Sequence, residues 1–123
     1  MSTGSSRVLI ADDEAHIREL LRSFLAREGY DVVAVATGEQ ALAAVPNFRP
    51  DVVLVDMVMP GLCGTDVLIA LRRTGATMPV ILISAHEVMA GEAFFGVLRK
   101  PFSLRAMADL VAAAVNQGRI SSS

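Results

Sequence analysis

Five short, mostly apolar runs divide the chain, and each leads into polar or small residues. The central run at 52–55 holds four apolar residues in succession and leads directly into Asp56. Such an unbroken run is typical of a strand that is buried on both faces of a parallel sheet. We therefore predict strands at residues 7–11, 31–36, 52–56, 78–83 and 97–99.

Between these runs, apolar residues recur at intervals of three and four positions, which predicts amphipathic helices. The first helix is expected to end before Gly29, because glycine favours the position that follows a helix. Thr37 and Gln40 match a capping box at the start of the second helix. That helix is predicted at residues 39–45, because Pro46 is expected to stop it. The apolar stripe of the first helix consists of Ile17, Leu20, Leu21, Phe24 and Leu25.

The second half of the chain has a less regular pattern. A third helix is predicted to end near Gly75, whereas residues 85–95 mix helical and turn signals around Gly91. Ser103 is expected to cap a last helix and Gly118 to close it. The apolar positions of the third and last helices are Val67, Leu68, Leu71, Met107, Leu110, Val111, Ala114 and Val115.

Strands that alternate with helices predict an α/β fold, a flavodoxin-like (βα)5 doubly wound domain with a five-stranded parallel sheet. The expected strand order is 2-1-3-4-5, which places the first and third strands side by side at the topological switch point. We expect one domain at residues 7–118, with a flexible leader at 1–6 and a flexible tail at 119–123.

Composition and charge narrow the possible functions. Of the 123 residues, 53% are hydrophobic and 20% are charged, which is typical of a globular domain. The net charge of −2 gives no general attraction to nucleic acid or anionic membranes, and no apolar run approaches membrane-spanning length. The single Cys63 excludes an internal disulfide and fits a reducing compartment. We expect a soluble, cytoplasmic protein without direct nucleic-acid binding or membrane insertion.

Chemically versatile side chains occur at the ends of four of the five predicted strands. They are Asp12 and Asp13 after the first strand, Asp56 at the third, Ser84 at the fourth and Lys100 at the fifth. Because the carboxyl ends of parallel strands meet at one edge of a sheet, we expect these side chains to lie close together. Taken singly, each has an ordinary interpretation as a helix cap, a turn residue or an exposed lysine. Their coincidence favours a functional site.

Three carboxylates at one edge need a counter-charge. Two carboxylates about 4 Å apart repel by roughly 4 kcal/mol at an effective dielectric near 20, so the cluster is expected to hold a proton or a cation. Oxygen ligands alone favour Mg²⁺ over Ca²⁺, with Mn²⁺ as another option. Ser84 and Lys100 could hold phosphoryl oxygens, and Asp56 could act as a nucleophile that forms an aspartyl phosphate.

These motifs resemble the receiver domain of two-component response regulators. The resemblance covers nearly the whole chain, from Arg7 to about Asn116. It comprises the family's acidic start, its phosphorylation loop, its Thr/Ser-Ala step and its Lys-Pro-Phe sequence. The matching stretches are residues 8–14, 56–61 with Gly64, 84–85 and 100–102.

The resemblance implies a phosphoryl-accepting role for Asp56. The donor would be a phosphohistidine on a histidine kinase or a histidine phosphotransfer protein. Mg²⁺ would be bound by Asp13, Asp56 and the backbone carbonyl of Val58, while Asp12 would act through a bound water. The phosphoryl group would then change the binding of a downstream protein partner.

Further roles follow from the same resemblance. Ser84 and Lys100 are expected to hold the phosphoryl oxygens, and the peptide bond before Pro101 is expected to be cis. Val58 and His86 fall where the family tunes its dephosphorylation rate, although His86 could equally be a plain surface residue. The phosphotransfer partner is expected to dock near Ile17, Leu21 and the Pro101–Phe102 turn, unless these apolar residues belong to the core.

Two features depart from the family pattern. Val97 stands three residues before the lysine, where similar receivers carry an aromatic residue that moves on activation; the nearest aromatic, Phe95, could be a core residue. Ser84 and Lys100 are 16 positions apart, which is shorter than the family norm by roughly one to two helical turns. A shortened or irregular fourth helix is therefore expected.

Three alternatives compete with a phosphorylatable, stand-alone receiver. A pseudo-receiver would bind a partner without phosphorylation. A Mg²⁺-dependent phosphohydrolase needs a second acid two residues after its nucleophile, where this chain has Val58. A flavin module of similar topology is disfavoured because the acids would repel the flavin phosphate.

Overall fold

Five parallel strands form one sheet in the computed structural model, which describes residues 5–86 and 93–121. The strands are β1 (Arg7–Ala11), β2 (Asp31–Val35), β3 (Val52–Asp56), β4 (Val80–Ser84) and β5 (Gly96–Arg99). Their order across the sheet is β2-β1-β3-β4-β5, which confirms the predicted flavodoxin-like topology. The described residues also form the helices α1 (Ala15–Arg27), α2 (Gly38–Phe48), α3 (Gly64–Arg73) and α4 (Leu104–Ser121).

The sheet separates two apolar layers, because successive residues of a strand point to opposite faces. Leu54 belongs to a buried cluster that includes residues of α1 and α4, whereas Val55 belongs to a cluster that includes residues of α2 and α3. Strands β3 and β4 are buried along their whole length. Burial on both faces explains why their sequences are continuously apolar and do not alternate.

Helix boundaries follow the predicted local signals at three places. Gly29 follows α1 with φ at +98°, a left-handed conformation that glycine adopts at low cost. The Thr37 hydroxyl caps α2 by accepting a hydrogen bond from the Gln40 N–H at 3.0 Å. The Ser103 hydroxyl caps α4 by accepting one from the Ala106 N–H at 2.9 Å.

The predicted ends of α2 and α4 were wrong. Pro46 lies inside α2, which continues to Phe48 and ends where Arg49 adopts φ of +54°. Proline removes one N–H donor, and near a helix end the remaining hydrogen bonds keep the last turn, among them the Arg49 N–H to the Val45 carbonyl at 2.9 Å. Helix α4 likewise continues through Gly118 to Ser121, because glycine inside a helix costs only about 1 kcal/mol relative to alanine.

The predicted shortened or irregular fourth helix falls chiefly on residues 87–92, which lie outside the described residues. The flanking residues 85–86 and 93–95 are not helical. Along the described parts of the chain, every helix is too short or too polar to cross a membrane.

Replacing Leu54 with alanine is expected to lower the free energy of unfolding by about 2–5 kcal/mol, because this side chain is fully buried in the central strand. Leu20 is a matched control, since its side chain on α1 is 42% exposed. Leu20→Ala should cost less than about 1 kcal/mol. Urea denaturation of both variants measures the difference, and equal losses would contradict the two-layer core.

Candidate functional site

The strand order brings the predicted acids together at the carboxyl edge of the sheet. Asp56 is the last residue of β3, and Ala11 at the end of β1 pairs with Val55, so Asp12 lies beside Asp56. One carboxylate oxygen from each of Asp12, Asp13 and Asp56 lies within 4.8 Å of the other two. The predicted acidic cluster therefore exists in the folded chain.

Backbone hydrogen bonds of the sheet type continue one residue past the ends of β1 and β5. The Asp12 N–H donates to the Val35 carbonyl at 3.1 Å, and the Lys100 N–H donates to the Ser84 carbonyl at 2.8 Å. Asp56 and Ser84 are the last residues of their strands, and Asp12 and Lys100 directly follow theirs. The backbone hydrogen bonds of the sheet therefore position these side chains.

Asp12 is the most deeply placed of the three acids. Its side chain is buried, and Oδ1 accepts a hydrogen bond from the Glu14 N–H at 2.9 Å. The buried Oδ2 has no hydrogen-bond partner among the described residues. Burial raises the pKa of Asp12 above its usual value; the Glu14 hydrogen bond opposes this rise, while the neighbouring Asp56 charge adds to it. An unpartnered buried oxygen in an acidic cluster fits a cation ligand.

Lys100 supplies a single positive charge to the cluster. Its ammonium Nζ lies 3.4 Å from Oδ2 of Asp56, and both side chains are largely buried. When all three acids of the cluster are ionised, one ammonium leaves a surplus of negative charge. That surplus, together with ligands that are all oxygen atoms, suits a hard divalent ion such as Mg²⁺.

The Ser84 hydroxyl is hydrogen-bonded within its own turn, and the hydrogen bonds of the described residues do not join it to Asp56. Its Oγ donates to the His86 carbonyl at 2.9 Å and accepts from the His86 N–H at 3.1 Å. The side chain is buried at the end of β4. To donate to an anion bound at Asp56, this hydroxyl has to leave the His86 carbonyl.

The loop after Asp56 is closed tightly by a glycine. The Gly64 N–H donates to the Met57 carbonyl at 3.0 Å. A Cβ atom at Gly64 would lie 2.6 Å from Cδ1 of Leu82 and 3.0 Å from the Asp56 carbonyl oxygen. A larger residue at position 64 would therefore have to displace the Leu82 side chain and crowd the Asp56 carbonyl, so glycine is favoured where α3 begins beside the acidic cluster. Val58 lies in this loop with its side chain 72% exposed, and its carbonyl as a metal ligand stays a prediction.

Three further residues named in the predictions belong to the described part of the chain. His86 is exposed, and the peptide bond between Lys100 and Pro101 is cis. Val97 on β5 pairs with Leu82 and is 40% exposed.

For Leu21, the structure supports the core interpretation and not the docking surface for a phosphotransfer partner. Leu21 is only 1% exposed and belongs to the core beneath α1, so it cannot contact a partner. Ile17 and Phe102 are partly buried and pack against the same cluster. Phe95 packs there too, so the interpretation of Phe95 as a core residue is the right one.

Sequence reasoning missed Arg18. Its guanidinium Nη1 donates to the Asp12 backbone carbonyl at 2.8 Å, at the rim of the acidic cluster. The sequence offered no spacing motif for this contact. Its one weak indication is that Arg18 is the fourth residue of α1, near the end at which the helix dipole disfavours a cation.

Comparisons with known proteins point to one family. The profile of the response regulator receiver domain matches residues 8–112. The chain is 40% identical over 85 residues to the DNA-binding response regulator MtrA of Mycobacterium tuberculosis, covering 69% of this chain and 37% of that protein. It is 37% identical over 105 residues to the response regulator MprA of Mycobacterium sp., covering 80% of this chain and 45% of that protein. The chain thus spans less than half the length of these relatives.

Solved structures share the fold. A CheY-like receiver domain protein from Methanospirillum hungatei superposes with a TM-score of 0.89 at 22% identity, over 96% of this chain and 99% of that one. The response regulator TrrA from Thermotoga maritima, in complex with Mg²⁺ and BeF, gives a TM-score of 0.80 at 30% identity, over 89% of this chain and 98% of that one.

Without Mg²⁺, the raised pKa of Asp12 makes stability depend on pH. Because the folded state favours the protonated form of Asp12, this carboxyl adds to the free energy of unfolding. The added stability is fully present below the ordinary pKa of 3.8 and is lost as pH rises through the raised pKa of the folded state. Asp12→Asn removes this loss and should be more stable than wild type at pH 7, because the amide stays neutral at every pH.

Thermal unfolding of wild type and Asp12→Asn, measured from below the ordinary pKa of 3.8 up to pH 7 without divalent ions, gives the dependence of stability on pH. Asp109→Asn is the control, because the Asp109 side chain is 71% exposed on α4. Parallel pH profiles for wild type and Asp12→Asn would contradict the assignment of a raised pKa to Asp12.

Proposed function

The chain belongs to the response regulator receiver family of two-component systems, and from this premise we propose that Asp56 is its phosphoryl acceptor. The observation that carries the proposal is the buried Asp56 carboxylate, which has Lys100 3.4 Å away and two further acids beside it. A receiver domain is a signalling phospho-acceptor and not a classical enzyme.

In this proposal Asp12, Asp13 and Asp56 hold Mg²⁺, with the Val58 carbonyl as a further ligand and Asp12 acting through a bound water. The unpartnered Oδ2 of Asp12 and the 4.8 Å cluster support this assignment. Bound Mg²⁺ would offset the negative charge of the carboxylates and of the incoming phosphoryl group. Mn²⁺ has similar ligand preferences and should substitute for it.

The proposed transfer uses a phosphohistidine donor on a histidine kinase or a histidine phosphotransfer protein. An Asp56 carboxylate oxygen forms the new bond to phosphorus while the P–N bond of the donor breaks. The electron pair of that bond returns to the imidazole nitrogen. The Lys100 ammonium and the Ser84 hydroxyl then hold the phosphoryl oxygens, and Ser84 gives up the His86 carbonyl to do so.

The same geometry weakens the alternatives. A pseudo-receiver would not need three acids, a lysine and a buried serine at one sheet edge, and no observation favours it. Turnover as a phosphohydrolase would need a second acid two residues after Asp56, where the chain has an exposed Val58. We propose that the only catalysis is self-phosphorylation from small donors and self-dephosphorylation.

We propose that the output of the domain is altered binding of a downstream protein partner in the cytoplasm. The relative MtrA is named as DNA-binding, but the region shared with this chain covers only 37% of it. This chain has a net charge of −2 and offers no general attraction to nucleic acid. Direct DNA binding is therefore not part of the proposal.

Intact-mass measurement after incubation with acetyl phosphate tests the role of Asp56. Wild type should gain one phosphoryl group in the presence of Mg²⁺ and none with chelator, because the metal offsets the charge of the attacking carboxylate and the donor. Asp56→Asn should gain none, since an amide cannot form the acyl phosphate.

Asp109→Asn serves as the matched control and should be phosphorylated like wild type. Because the proposed donor is a phosphohistidine, the same variants are also incubated with a phosphorylated histidine phosphotransfer protein. Absence of modification of folded wild type by both donors, or equal modification of Asp56→Asn, would overturn the proposal.

A further inference from the structure

Among the described residues of α1, Arg18 is the one cation whose side chain is hydrogen-bonded to the acidic turn that follows β1. Its backbone N–H makes an ordinary helical bond to the Glu14 carbonyl at 2.9 Å. Its side chain reaches in the other direction, and Nη1 donates to the Asp12 carbonyl at 2.8 Å. The side chain is half-buried, so part of its hydration is replaced by this contact.

The contact falls on the turn that carries two of the three acids. Three bonds hold this turn: the Asp12 N–H to the Val35 carbonyl, the Glu14 N–H to Oδ1 of Asp12, and the Arg18 guanidinium to the Asp12 carbonyl. Within the described residues, Arg18 is the only donor to that carbonyl. Without it, the peptide unit that joins Asp12 to Asp13 would lose its fixed orientation.

We propose that Arg18 is a positioning residue that fixes the turn between β1 and α1, so that Asp12 and Asp13 present their carboxylates to a divalent cation. This inference rests on the proposed function, since it assumes that the acidic cluster binds Mg²⁺. Groups that orient metal ligands from outside the coordination sphere typically change metal affinity by 10- to 100-fold. Arg18 acts on the backbone and does not touch the ion.

The charge of Arg18 and its hydrogen bond predict opposite changes in Mg²⁺ affinity when Arg18 is removed. A nearby cation repels Mg²⁺, so if Arg18 acted only through its charge, its removal would tighten Mg²⁺ binding. If Arg18 holds the turn, its removal frees the Asp12–Asp13 peptide and weakens binding. The direction of the change in Kd therefore separates the two roles.

Isothermal titration of Mg²⁺ into wild type and Arg18→Ala at pH 7 measures this direction. We expect the Kd of Arg18→Ala to be about tenfold higher than that of wild type. Arg18→Lys keeps a cationic donor on a long side chain and should recover part of the loss. Arg22→Ala is the matched control on the same helix, because Arg22 is exposed and pairs with Glu19 away from the acidic cluster; its Kd should equal that of wild type.

Circular dichroism without Mg²⁺ confirms that each variant is folded at the titration temperature. If Arg18→Ala does not fold, Arg18→Lys decides the question, with weaker binding than wild type expected. A Kd equal to or lower than that of wild type in the folded variant would overturn the positioning role while leaving the proposed function intact. Absence of Mg²⁺ binding by wild type would instead overturn the metal site itself.

Discussion

Electrostatic repulsion among Asp12, Asp13 and Asp56 is the constraint on which the site depends. The strand order places β1 beside β3, so these acids cannot avoid one another without a different fold. Burial is the main cause of the raised pKa of Asp12, and the neighbouring Asp56 charge adds to it. The buried Oδ2 of Asp12 has no hydrogen-bond partner among the described residues. Under the proposed function, a divalent cation would offset this repulsion, as expected of a binding site and not of a structural ion pair.

The remainder of the fold provides the rigidity that such a cluster needs. Two fully buried central strands hold the acid-bearing ends in register, and apolar layers on both faces supply the stability that offsets the repulsion. Lys100 relieves part of the negative charge, while Ser84 is hydrogen-bonded to His86 and has to move before it can act. The acids are therefore held in place by the sheet, whereas the Ser84 hydroxyl has to exchange its hydrogen bond to act.

The sheet and the acidic cluster were predictable because both depend on pattern. Continuous apolar runs identified the strands, and the strand order dictated which polar ends would meet. The end of α2 was not predictable from Pro46, since a local signal is overridden when neighbouring hydrogen bonds hold a turn. Arg18 escaped prediction because a bond from a side chain to a backbone carbonyl depends on the path of the turn and has no spacing motif.

Thermal unfolding of the wild-type chain with and without Mg²⁺ at neutral pH tests the central claim most directly. If the acids are held together as an incomplete cation site, Mg²⁺ at about 100 times its Kd should raise the free energy of unfolding by about 2.7 kcal/mol. The increase should be absent when Asp13 and Asp56 are both replaced by asparagine. An unfolding temperature of the wild type that does not respond to Mg²⁺ would contradict the account.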